Sequence, residues 1–283
     1  LSSYRFCRTD DVSLLVESLN RCWSPYFPDE PVVTPASFKR SIRDLQVWCS
    51  SCMVAFSGSD PIGVLIGAKR PSGTLIHRIA VHPDHRRQGH GRHLLTSLSS
   101  KLAILGPPRM VAEVPEMLDA TRGLFTASGY VQEALLTDYV LDRSVPSGRG
   151  ITARVDGFVI PITIADLAAN DLLGAAHPHS CWERGVATLT ARKDELEGLA
   201  VASDERIEAY VLFSRGEILS LRSFVEDDGA RLMQLVSQLR ARGMSTVLLP
   251  KVHPAEIPPE RLEGLGFRAA GRYLLFAAQA QST

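Results

Sequence analysis

The sequence lacks an excess of either charge: 31 Lys and Arg stand against 31 Asp and Glu, for a formal net charge of +0. A chain without a global field does not hold nucleic acid or an anionic membrane along its surface, so neither partner is expected and any anion site must be local. Long hydrophobic runs are missing too. Even the apolar stretch from Met53 to Ile66 is cut by Gly58-Ser59-Asp60-Pro61, and a spanning helix needs roughly 18 apolar residues without such a break. Cysteines are few and odd in number, and Cys7, Cys22, Cys49, Cys52 and Cys181 are scattered. That set does not make a disulfide framework and fits reducing surroundings. Leu1 leads directly into polar residues with no basic-then-apolar leader pattern, so a cytoplasmic setting is expected.

What is present suits a packed protein. Hydrophobic residues make up 45% and charged residues 22% of 283, and at roughly 150 residues per domain this length predicts about two domains. The first half reads as a short strand from Tyr4 to Cys7, then a helix capped by Asp10 with Val12, Leu15, Val16 and Leu19 on one face. Trp23 to Pro35 reads as a loop, and Cys52–Phe56 with Ile62–Ala68 as a β-hairpin. A strand over Thr74–Val81 precedes a helix over Gly91–Leu102 with Leu94, Leu95, Leu98 and Leu102 at core spacing. Another strand spans Met110–Val114, a helix spans Ala120–Ser128 with Gly129 as its left-handed cap, and strands fill Tyr130–Leu141.

The Pro- and Gly-bearing stretch from Asp142 to Gly150 is the best linker on composition. The same order of strands and helices then returns, and Ser128-Gly129-Tyr130 matches Leu265-Gly266-Phe267 at about half a chain length. An internal duplication is expected, with domains over 1–146 and 147–283.

The most informative stretch runs from Leu75 through Ile79-Ala80-Val81-His82-Pro83 and Arg86-Arg87-Gln88-Gly89-His90-Gly91-Arg92 into the helix. Free N–H groups at a helix start attract anions, and glycines let the backbone approach them. Three arginines add local positive charge, so this turn is a candidate pyrophosphate cradle.

In order and spacing, Ile79-Ala80-Val81-His82-Pro83 followed by Arg86-x-x-Gly89-x-Gly91 resembles the signature of the GNAT superfamily of acyl-CoA-dependent N-acyltransferases. Leu124-Phe125-Thr126-Ala127-Ser128-Gly129-Tyr130 is similar to its second motif, and the resemblance covers residues 4–142. It implies an α/β (α+β) fold of two tandem GNAT-like domains, each a mixed central sheet flanked by helices. It implies acetyl-CoA as cosubstrate, with the backbone of Ile79, Ala80 and Val81 along the pantetheine arm. The pyrophosphate would lie on Arg86, Arg87, Gln88, Gly89, His90, Gly91 and Arg92. No metal is implied. The expected activity is N-acetyl transfer to an amine-bearing acceptor, a small molecule, and an oligomer is left open.

A lysine-like amine has a pKa of about 10.4, so only about one molecule in ~10³ is neutral at pH 7, and a general base is needed. Strand alternation puts Leu75, His77, Ile79 and Val81 on one face, where several family members carry a Glu or His. Leu75 cannot act and His77 can. Glu113 on the next strand is the second candidate. The family's usual general acid is a Tyr, and Phe125 stands at that position. Either the thiolate leaves unassisted, its thiol pKa being about 8.5, or Tyr130 or Tyr139 serves. A second reading follows from the same departure, a non-catalytic acyl-CoA-binding sensor or regulatory module.

In the second half the corresponding turn is Glu226-Asp227-Asp228-Gly229, whose carboxylates repel a pyrophosphate. With Leu265-Gly266-Phe267 retained, this half reads as a degenerate repeat. Trp48-Cys49-Ser50-Ser51-Cys52 resembles a thioredoxin motif, but a hairpin follows it where that chemistry needs a helix start. His77, His82, His85, His90 and His93 match no closed zinc pattern.

Overall fold

The computed structural model describes residues 2–142, 157–173, 180–244 and 246–281. In chain order its elements begin with β1 (Ser2–Phe6), α1 (Val12–Cys22), α2 (Pro35–Leu45), β2 (Met53–Ser57), β3 (Asp60–Arg70) and β4 (Gly73–Val81). They continue with α3 (His90–Leu105), β5 (Arg109–Pro115), α4 (Asp119–Ala127), β6 (Val131–Asp142), β7 (Phe158–Pro161) and α5 (Ile164–Ala169). Then come α6 (Val186–Ala191), β8 (Glu197–Ala202), β9 (Ile207–Ser214), β10 (Glu217–Ser223) and α7 (Ala230–Ala241). The chain ends with β11 (Thr246–Val252), α8 (Pro259–Gly264) and β12 (Phe267–Gln279). Most of the expected linker lies outside the described residues.

Two compact units form, and each exchanges a piece of chain. The first is Leu1–Ala134 with Leu274–Thr283, and the second is Leu135–Tyr273. In the first unit the strands run β1-β2-β3-β4-β5-β12, with β1 to β4 antiparallel in succession and β4 parallel to β5. In the second they run β6-β11-β10-β9-β8-β7, with β10 parallel to β11 and the other pairs antiparallel. Each unit is therefore a mixed α/β structure, and the repeat seen in the sequence reappears as a repeated strand order.

The helices form for the reasons the periodicity gave. Leu94, Leu95, Leu98 and Leu102 of α3 are buried, and so are Leu232, Leu235, Val236 and Leu239 of α7. The latter belong to one core with Val211, Phe213, Val247 and Leu249. Helix α4 ends at Ser128, and Gly129 turns the chain with φ of +82°. Helix α2 was hidden by the Pro-rich segment before it. Pro35 occupies its first turn, and Thr34 with Ser37 forms a reciprocal capping box. Among the described residues no helix is long and apolar enough to cross a membrane.

Candidate functional site

Two features of the first unit meet at one end of β4. The parallel register of β4 with β5 covers Thr74–Met110 and Leu75–Val111. Beyond these pairs the two strands part, which leaves the β5-facing edge of β4 from Ile76 to Val81 without a ladder. His82 donates its N–H to Ile62 of β3 at 2.8 Å, so the neighbouring Val81 carbonyl points to the opposite, parted side.

The turn that follows carries the glycines and arginines. Pro83–His85 makes one tight turn, Arg87 adopts a φ of +61°, and Gly89 adopts +85° immediately before α3. No side chain caps the start of α3, so its first N–H groups remain available to an anion. Arg87, Gln88 and Arg92 are exposed, and neither arginine has an ion pair among the described residues. A Cβ at Gly89 would meet nothing within 4 Å, so the backbone angle and not crowding demands glycine there. At Gly91 a Cβ would lie 3.0 Å from Leu124 Cδ2, so that glycine serves the packing of α3 on α4.

His90, the first residue of α3, is buried, and its Nδ1 lies 2.7 Å from the Tyr4 hydroxyl. Burial, with His85 and His93 nearby, holds its pKa below the ordinary histidine value. Its Nε2 is buried without a hydrogen-bond partner among the described residues. The Tyr4 ring lies against His93, with centroids 3.7 Å apart. Among the described residues no three His, Cys, Asp or Glu are arranged to hold a metal ion.

Arg86 is engaged by Tyr26, from the segment between Trp23 and Pro35 whose composition reads as a loop. Its Nε donates to the Tyr26 hydroxyl at 2.7 Å, its guanidinium lies 4.3 Å from the Tyr26 ring, and that hydroxyl donates to the Val81 carbonyl at 2.5 Å. Burial raises the Tyr26 pKa, and the hydrogen bond from Arg86 opposes that rise. The density of Pro and aromatic residues between Trp23 and Pro35 was the signal that this segment packs.

His77 lies where β3 and β4 slip. Ile66 pairs with Arg78 and Gly67 with Ile76, which leaves His77 as the extra residue of a bulge. Strict alternation would separate His77 from Arg78, but both line a cleft of about 270 Å³ with Leu19, Glu30, Phe38 and Arg40. Arg78 is held there at 3.3 Å from Glu30 and 5.0 Å from the Trp23 ring. Trp23 Nε1 donates to the same Glu30 carboxylate at 3.0 Å. Glu113 is half-buried on β5 and is not part of that lining.

The aromatic candidates for a proton donor are core residues. Phe125 is 1% exposed, edge-on to Tyr130 at 4.9 Å and stacked on Phe276 at 5.8 Å. Tyr130 points its hydroxyl at Met110 Sδ, and burial drives its pKa up. Tyr139 belongs to the core of the second unit. All five cysteines are buried and none forms a disulfide among the described residues, and burial pushes the Cys49 and Cys52 thiols up, opposite to a redox-active pair.

In the second unit the corresponding places are filled from within. Asp227 accepts the N–H groups of Gly229 at 3.0 Å and Arg231 at 2.9 Å at the start of α7, and it pairs with the Arg231 guanidinium. Beside β11, the buried Arg184 donates to the Pro250 carbonyl at 2.7 Å and forms a two-pronged pair with Glu256. Glu256 also lies 3.4 Å from Arg222 of β10.

Residues 13–130 match the model of the acetyltransferase (GNAT) family. The whole chain is similar in fold to a tandem GNAT protein from the clavulanic acid biosynthesis pathway, at 19% identity and TM-score 0.65, covering 100% of both chains. It is also similar to a GCN5-related N-acetyltransferase from Sphaerobacter thermophilus, at 14% identity and TM-score 0.68, covering 99% of this chain and 96% of that one.

Proposed function

We propose that the chain is an acetyl-CoA-dependent N-acetyltransferase acting on a small amine, a reading supported by the match of residues 13–130 to the acetyltransferase (GNAT) family model. The observation that carries this reading is the uncapped start of α3, reached through Gly89 at positive φ and flanked by Arg87 and Arg92. It adjoins the parted edge of β4. The residues fit the cosubstrate, and the orphaned Nε2 of His90 lies at the same helix start.

The N–H groups from Gln88 to Gly91, with the charges of Arg86, Arg87 and Arg92, would hold the pyrophosphate. The backbone of Ile79, Ala80 and Val81 would hold the pantetheine arm, with Tyr26 yielding the Val81 carbonyl or sharing it. Acetyl-CoA supplies an acetyl group activated as a thioester. His77 accepts the proton of the amine, directly or through water, and Glu113 is the alternative base. No phenol stands at Phe125, so the thiolate leaves unassisted, as a thiol pKa of about 8.5 permits.

We assign the cofactor to the domain over 1–146 and read 147–283 as its degenerate copy. In the second unit a carboxylate, Asp227, already takes the N–H groups that a phosphate would need. The buried core position of Phe125 favours one other reading, a non-catalytic acyl-CoA sensor. An assay of free thiol release from acetyl-CoA over a panel of amines, run beside calorimetry of acetyl-CoA binding, separates the two. Turnover on an amine supports the enzyme, and binding without turnover supports the sensor. Absence of binding defeats both.

A further inference from the structure

The cleft beside His77 has a chemical bias. Its floor is apolar, with Leu19, Phe38 and Ile66 each no more than 3% exposed. Its charged lining is Glu30, Arg40 and Arg78. Glu30 and Arg78 satisfy each other, and Glu30 is further bound by Trp23. Arg40, on α2 at the edge of the cleft, has no ion pair or side-chain hydrogen bond among the described residues. The lining therefore carries one uncompensated positive charge.

A cationic amine entering such a cleft alone is repelled. An amine whose far end carries an acid is not, because the acid can pair with Arg40 while the amine faces β4. From this we infer that the acceptor is a small amine bearing a carboxylate, joined by an apolar body that rests on Leu19, Phe38 and Ile66. Resting on the acetyltransferase reading, this inference names the acceptor class of the same site. Arg40 is exposed, so its pair with the acid stays partly hydrated and its effect is moderate.

The test uses the full chain and two matched pairs of probes: phenylalanine with phenylalaninamide, and 6-aminohexanoate with 6-aminohexanamide. Calorimetric Kd values are taken with and without acetyl-CoA, and kcat/KM values by thiol release. In at least one pair the acid is expected to bind about tenfold tighter than its amide, as for one added charge-assisted hydrogen bond. Arg40→Gln should bring acid and amide level. Equal binding of acid and amide in both pairs, a preference that survives Arg40→Gln, or binding of none of the four probes overturns the inference. An acid preference that persists in a chain without acetyl-CoA binding or turnover upholds the assignment of the cleft and defeats the acetyltransferase reading instead.

Discussion

His77 is the extra residue of the β4 bulge, and the slip in register lets two consecutive side chains face one cleft. If it is the base, His77→Ala should lower kcat by about 10² to 10⁴ and leave acetyl-CoA affinity nearly intact, because the imidazole meets the acceptor and not the pyrophosphate. The acid limb of the pH–rate profile should go with it, since a protonated ring accepts no proton. Unchanged turnover with an unchanged acid limb would move the role to Glu113. Asp227 makes a different prediction. Burial alone would raise its pKa, but hydrogen bonds from Arg231 and Gly229 hold it below the ordinary carboxylate value. Its contribution is thus complete above the unfolded value of about 3.9 and disappears as pH falls through the depressed folded one. Asp227→Ala should cost about 1 kcal/mol at pH 7, as for loss of a helix cap, read from urea midpoints. The gap between the two proteins should narrow in acid.

The turn from Pro83 to Gly91 was legible as an element because its glycines and arginines are local signals, and so was α3 from its leucine spacing. Helix α2 was not, although Thr34-Pro35 followed by Ser37 carries a cap. The Pro and aromatic residues before it favoured a loop. The β4 bulge was hidden because the residues on either side of the His77-Arg78 pair, Leu75-Ile76 and Ile79-Ala80, are apolar in succession, so alternation beyond the pair had no polar face to mark the slip. The cleft residues Glu30, Arg40 and Arg78 come from three separate elements or loops, and no spacing in the sequence joins them. For the turn itself, Gly89→Ala is expected to cost about 1 kcal/mol for the left-handed backbone alone, with weaker acetyl-CoA binding as the N–H groups shift. Thermal melting beside calorimetry checks this. A variant equal to wild type in both would show that the turn tolerates a side chain and that its glycine is dispensable for the anion.

Across the whole molecule the repeat was readable, because the same order of elements returns after half the chain. The exchange of chain between units was not. β6 and β12 are both long strands ending a repeat, and their side-chain pattern alone does not say which sheet each completes. Since α3 starts without a cap while Asp227 takes the N–H groups at the start of α7, calorimetry should give one acetyl-CoA per chain, and two equivalent sites would refute the degenerate second half. The exchange also fixes an order in time. The first unit receives its last strand from Leu274 onward, where Phe276 stacks on Phe125 and Ala280 bonds to Pro108 at 2.6 Å. A chain stopped after Tyr273 keeps His77 and the whole arginine turn, yet it should melt earlier and bind acetyl-CoA more weakly, as scanning calorimetry and titration would measure. On the ribosome, the unit synthesised first must wait with an open sheet edge until the residues beyond Tyr273 emerge.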